Sequence, residues 1–187
     1  MRALMSFVRP LLLLSLLSLP AVARPTVRLA LEGHGSLFNS GSGAALLGLN
    51  FGGGLRGGVD LNEHWGVFLH VENDVWGNTG LGGLLHAGVL NYGVGGEFRF
   101  AGGLMRTSLT LGASTLLEPT VIDPAGSTGI FVEFRPPGLR WTLARAAGAT
   151  FVLGLDPISF MLEMPVLSGI PLARIQYRTS LCLEVAF

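Results

Sequence analysis

The sequence predicts an all-β fold: a closed, antiparallel, up-and-down transmembrane barrel of eight strands that follows an N-terminal signal peptide. Three observations predict it. Eight segments alternate apolar and polar residues with period two, the pattern of strands with one greasy face. Tight and long connections alternate between those segments. Finally, 49% of the chain is hydrophobic and only 13% charged. Yet beyond the first 23 residues no apolar run nears the ~20 residues of a spanning helix. Apolar surface divided among alternating segments is how a membrane barrel carries it.

The chain starts with Arg2 and Arg9, an apolar run from Leu11 to Leu19, then Ala21, Val22 and Ala23. A basic start, a short apolar stretch and a small-residue site form the secretory pattern, so residues 1–23 are expected to be removed after Ala23. The mature domain, residues 24–187, is expected to be one barrel domain. It holds ten arginines, twelve acids and no lysine. A near-neutral chain of this kind has no electrostatic footprint for nucleic acid. The lone Cys182 has no partner for an intramolecular disulfide.

The strands follow in order. The first alternates Val27, Leu29 and Leu31 with Arg28, Ala30 and Glu32. The second runs from Leu47 to Leu61 with Arg56 and Asp60 on its polar face, and the third from Trp65 to Val71 against His70, Glu72 and Asp74. The fourth sets Tyr92, Val94 and Phe98 against Asn91, Glu97 and Arg99; the fifth sets Leu109 and Leu111 against Arg106, Ser108 and Thr110. The sixth pairs Ile130, Val132 and Phe134 with Phe131, Glu133 and Arg135. The seventh, "TFVLGLDPISFMLEM", is irregular. The eighth, from Ile175, ends in "YRTSLCLEVAF". "NEH", "AGG" and "RPPG" are read as tight turns; "FNSGSGA", "VWGNTGLGGLLHAG", "STLLEPTVIDPAGS" and "VLSGIPL" as long loops. Residues 139–149 have no place in this plan, which leaves ten strands as the alternative count.

An alternating last strand that stops on Phe187 resembles the signal read by the barrel assembly machinery. Residues 24–187 as a whole resemble small eight-stranded outer-membrane barrels of the OmpX, OmpA-transmembrane and OmpW type. The resemblance implies an outer-membrane location with both termini periplasmic, a monomer, lipids as surroundings, and the assembly machinery as partner through the strand ending at Phe187.

If the apolar face looks outward, eight acids (Glu32, Asp60, Glu72, Asp74, Glu97, Glu133, Glu163, Glu184) and seven arginines (Arg28, Arg56, Arg99, Arg106, Arg135, Arg174, Arg178) point inward. An eight-stranded barrel is just wide enough to be filled by side chains, so a plugged lumen of paired charges is expected. Inward glycines such as Gly52, Gly54, Gly58, Gly93 and Gly95 make room for them.

Three motifs invite chemistry. "FGGGLRGG" lacks the Gly-Lys-Ser/Thr ending of a phosphate loop. Glu32, His34 and Ser36 are the parts of a nucleophilic triad, but side chains spaced by two along one strand converge poorly on one atom. His70, Glu72 and Asp74 are metal-ligand types, with the inward arginines as competing partners. The expectation is therefore no catalytic, cofactor or metal site and a structural or surface-interaction role. An outer-membrane lipid-modifying enzyme is the alternative, with only Ser42, His86 and Asp123 as loop ingredients. An exported lipocalin-like carrier is a further alternative and requires an apolar inside. Trp65, Trp76 and Tyr92 fit interfacial girdles.

Overall fold

The computed structural model describes residues 26–41, 44–75, 88–119, 124–167 and 172–187. The proposed signal segment, residues 1–23, lies outside the described residues, as do Ser42, Trp76, His86 and Asp123. Eight antiparallel strands close on themselves: β1 (Val27–Gly41), β2 (Ala44–Asp60), β3 (Trp65–Val75), β4 (Gly88–Phe100), β5 (Met105–Leu116), β6 (Thr128–Ala146), β7 (Ala149–Val166) and β8 (Leu172–Ala186). Each pairs with its sequence neighbour, and β1 pairs with β8 from Arg28 opposite Ala186 to Gly41 opposite Arg174. The start of β1 and the end of β8 therefore lie at one rim.

A hydrogen-bonded row shows how far the strands tilt. From Arg145 on β6 it passes through Thr150, Ala186, Arg28, Gly58, Phe68, Gly95 and Thr110. It returns to β6 at Glu133, twelve residues away. Such stagger is the geometric requirement for closing a sheet of tilted strands.

Two expectations about connections are corrected. "RPPG" is not a turn. Pro136 and Pro137 lie inside β6, which runs on to Ala146 and so absorbs most of the stretch left unplaced. They sit at a bulge, where the register with β5 jumps between Arg106 opposite Gly138 and Ser108 opposite Arg135. On β7, Pro157 occupies a second irregularity, in the register with β8 between Asp156 and Ser159. Proline has no N–H to give a ladder, so strands hold it at such places. The turn falls instead at Ala147 and Gly148, with φ of 50° and 81°. Positive φ at both central residues gives the twist a two-residue hairpin needs. The second correction concerns "FNSGSGA": Phe38–Gly41 and Ala44 pair within the sheet, so this connection is short.

The two faces differ as the alternation requires. Outside stand Leu31, Leu55, Leu69, Val94, Leu111 and Leu181, all well exposed. Trp65 and Tyr92 are exposed on the same face, at positions suited to girdles. Gly57 and Gly96 leave an apolar depression there, bounded by Leu29, Val67, Leu69 and Leu109. Inside lie the charges. This sidedness is the reverse of a lipocalin-like carrier, whose inside is apolar.

Candidate functional site: an ion-paired interior

All fifteen charged residues expected inward are there, at most 14% exposed in their side chains. Two more join them, Asp156 and Arg140. Nearest the termini, Arg28 reaches Asp60 at 2.6 Å, Glu97 at 2.8 Å and Glu184 at 3.3 Å. Arg99 grips both oxygens of Asp60, at 2.6 and 2.9 Å, and Arg140 pairs with Glu184. In the next layer Arg106 holds Asp156 through Nη2 at 2.8 Å and Nε at 3.2 Å, and lies 3.1 Å from the Cys182 sulfur. Arg56 donates to Glu32 at 2.9 Å and stacks 4.4 Å over the Phe68 ring. Arg135 joins Glu32, Glu133 and Asp156.

Further up, Arg178 forks onto Glu72, at 2.8 and 3.1 Å, and also reaches Glu133 at 2.5 Å. Arg174 links Glu163 and Asp74, which Gln176 also contacts. Asn91 ties Glu72 to Glu163. The links are continuous from Asp60 through Arg28, Glu97, Arg106, Asp156, Arg135, Glu133, Arg178, Glu72, Asn91 and Glu163 to Arg174. Buried Val89, Leu116 and Val166 lie toward the end away from the termini.

The physical reason for so many arginines is geometric. A buried charge is costly unless paired and hydrogen-bonded. The planar guanidinium offers five donors and bridges two or three carboxylates at once. Glycines opposite give the volume. A Cβ on Gly52 would lie 2.1 Å from His34 Nε2, on Gly54 2.8 Å from the Glu72 Cβ, on Gly95 2.2 Å from the Phe68 ring, and on Gly154 2.5 Å from the Cys182 sulfur.

The chemically suggestive sets are not assembled as a triad or a metal centre. Glu32 faces Arg56 and Arg135, not His34. His34 lies against Asp74 at 3.4 Å, Glu72 at 3.7 Å and Arg178 at 3.3 Å. Ser36 is buried. His70 Nε2 lies 3.0 Å from Glu72, but Asp74 is taken by Arg174 and Gln176. Among the described residues no group of three His, Cys, Asp or Glu is placed to hold a metal. Sequence reasoning missed Asp156, hidden beside the Pro157 irregularity, and Arg140, in the stretch it could not place. It also missed the apolar inward residues Phe68 and Met161, both nearly fully buried.

A closed eight-stranded barrel with an apolar outside and a charged inside defines a class, the small outer-membrane β-barrels. Solved structures bear this out at the level of fold. Two are of Ail, the attachment invasion locus protein of Yersinia pestis. One, alone, has a TM-score of 0.53; the other, in complex with the heparin analogue sucrose octasulfate, has 0.51. Both are 13% identical and cover 87% of this chain and 99% of Ail. Neisserial surface protein A is also similar, with a TM-score of 0.51 and 11% identity over 87% of this chain and 97% of its own. No protein-family model matches the chain, and no curated protein matches it in sequence.

Proposed function

We propose that residues 1–23 are a signal peptide and that the mature chain serves in an outer membrane as a small barrel with a closed interior. Its role is structural or surface-interacting, with no catalysis, and its two termini face the periplasm. The observation that carries this is the division of charge. Among the described strand residues, the carboxylates and all arginines but Arg145 lie inside, while the outer belt is apolar. Lipid is the surrounding that rewards an apolar outside, and crosslinked side chains leave little room for an aqueous path. The strand ending at Phe187 is the segment presented to the assembly machinery, and the barrel works as a monomer. A heparin-like ligand does not carry over from Ail. This chain has no lysine, and Arg145 stands at the terminus-bearing rim. Fractionation and reconstitution test the proposal. The expected results are outer-membrane recovery, a band that shifts on heating, and negligible conductance in planar bilayers. Recovery as a soluble periplasmic protein, or large stable single-channel currents, would overturn it.

A further inference from the structure

The barrel is closed, yet at the rim that carries the start of β1 and the end of β8 a strand edge of β6 is open. β5 pairs with β6 only as far as Met105 opposite Leu139. One more backbone bond follows on that side, from the Arg140 N–H to the Leu104 carbonyl at 2.8 Å. β6 then continues to Ala146, bonded to β7 alone. The stagger explains this, because the β5–β6 register carries residues 141–146 past Met105, the first residue of β5. The hairpin tip therefore projects from the rim that carries both termini. Residues 141–148 are exposed on both faces, including Trp141 at 39% and Leu143 at 57%.

A free edge presents unpaired N–H and C=O groups and templates the addition of another strand. We propose that residues 141–146 of β6 dock a short, extended, acid-bearing segment of another protein on the terminus-bearing side of the membrane. The backbone sets the shape: six residues offer about 20 Å of edge at ~3.3 Å each. The extra residue at Leu143, between Thr142 opposite Val152 and Ala144 opposite Phe151, twists the edge and restricts it to short partners. Charge sets the chemistry. Arg145 is exposed and has no carboxylate partner among the described residues, and Trp141 and Leu143 offer apolar contact beside it. A second copy does not fit. Antiparallel pairing of two identical edges needs a two-fold axis perpendicular to the sheet. In a barrel wall that axis lies in the membrane plane, so the second barrel would be upside down.

The test uses the mature, folded protein in detergent micelles and three blocked octapeptides. One alternates valine and threonine around a central glutamate, the second has lysine in its place, and the third proline. Binding is read by anisotropy of labelled peptide, and the edge by amide exchange of residues 141–146. The glutamate peptide is expected to slow exchange there and not in the other strands. The lysine peptide should bind roughly two- to fivefold more weakly, the worth of one exposed ion pair, and the proline peptide not measurably. The Thr142→Pro variant removes an N–H that alternation from Arg140 turns to the free side. It should keep the heat-modifiable band and lose the protection. Arg145→Glu should reverse the charge preference and carries the test if the proline variant does not fold. The proposal is overturned if no peptide protects the edge, or if Thr142→Pro binds as before. Peptide-free protection that grows with protein concentration would mean self-association. Protection by lipid vesicles alone would mean that headgroups cover the hairpin. Either result overturns it as well.

Discussion

Replacing Leu69 by arginine tests whether the outer face meets lipid. Leu69 stands on the outer face of β3, 65% exposed, between Gly57 and Val94. Trp65 marks the start of the strand. Four residues of about 3.3 Å each, tilted by ~40°, place Leu69 about 10 Å above that level. In an apolar band about 25 Å tall, this is close to the midplane. An arginine there costs roughly 2–4 kcal/mol, a 30- to 700-fold loss in the folding equilibrium. Leu143 is comparably exposed but lies on the projecting hairpin, where the same change costs about 0–1 kcal/mol. Urea unfolding from lipid vesicles, followed by tryptophan fluorescence, reads both as midpoint shifts at constant slope. Equal shifts, or a larger one for Leu143→Arg, would refute the assignment of this face to lipid.

Arg178→Met leaves Glu72 and Glu133 buried without their fork, so a loss of about 3–5 kcal/mol is expected; adding Glu133→Gln should restore part of it in the same assay. Gly52→Ala should cost roughly 1–3 kcal/mol through overpacking, because the new methyl would meet His34 and the Asn73 carbonyl at 2.1 and 2.5 Å. Gly33→Ala meets nothing within 4 Å and should stay within about 0.5 kcal/mol of the parent, so thermal midpoints of the two variants should diverge. Phe187 donates its N–H to the Val27 carbonyl at 2.9 Å and exposes its ring. Deleting it should reduce assembled protein in cells far more than refolding of purified protein into detergent; equal losses would make it only a strand end.

Period two made the strand faces legible because a barrel wall separates two environments at every residue. Glu32, Glu72, Arg135 and Arg178 could be placed inside from parity alone, without knowing a single contact. What parity does not carry is pairing. Arg178 meets Glu72 and Glu133 across the lumen, from strands remote in sequence. No local rule selects those carboxylates over Glu32. Parity also fails wherever a strand gains a residue. Asp156 and Arg140 lie beyond irregularities at Pro157 and at Pro136 and Pro137, and prolines in a row looked like a turn. The hairpin apex at Ala147 and Gly148 lacks an Asn-Gly or Asp-Gly pair, so alanine at positive φ concealed it.

The same long-range pairing bears on how the barrel forms. Arg28 and Glu184 are 156 residues apart, Arg178 and Glu72 106, and Arg135 and Glu32 103. These pairs are complete only when β1 has met β8, whereas pairs between neighbouring strands, such as Arg28 with Asp60, Arg106 with Glu97 and Arg174 with Glu163, can already form in a half-formed sheet. Before closure, the arginines and carboxylates need water while the apolar face needs lipid. A partly formed barrel satisfies both only at the membrane surface. Non-local contacts of this kind also make folding slow, because loop-closure entropy is lost before the contacts reward it. Closure and desolvation of the interior must therefore be nearly simultaneous. That gives the β1–β8 seam more weight than its hydrogen bonds alone, since it is the step at which the pairs across the seam and the lumen, such as Arg28 with Glu184 and Arg135 with Glu32, are added to those already made between neighbouring strands.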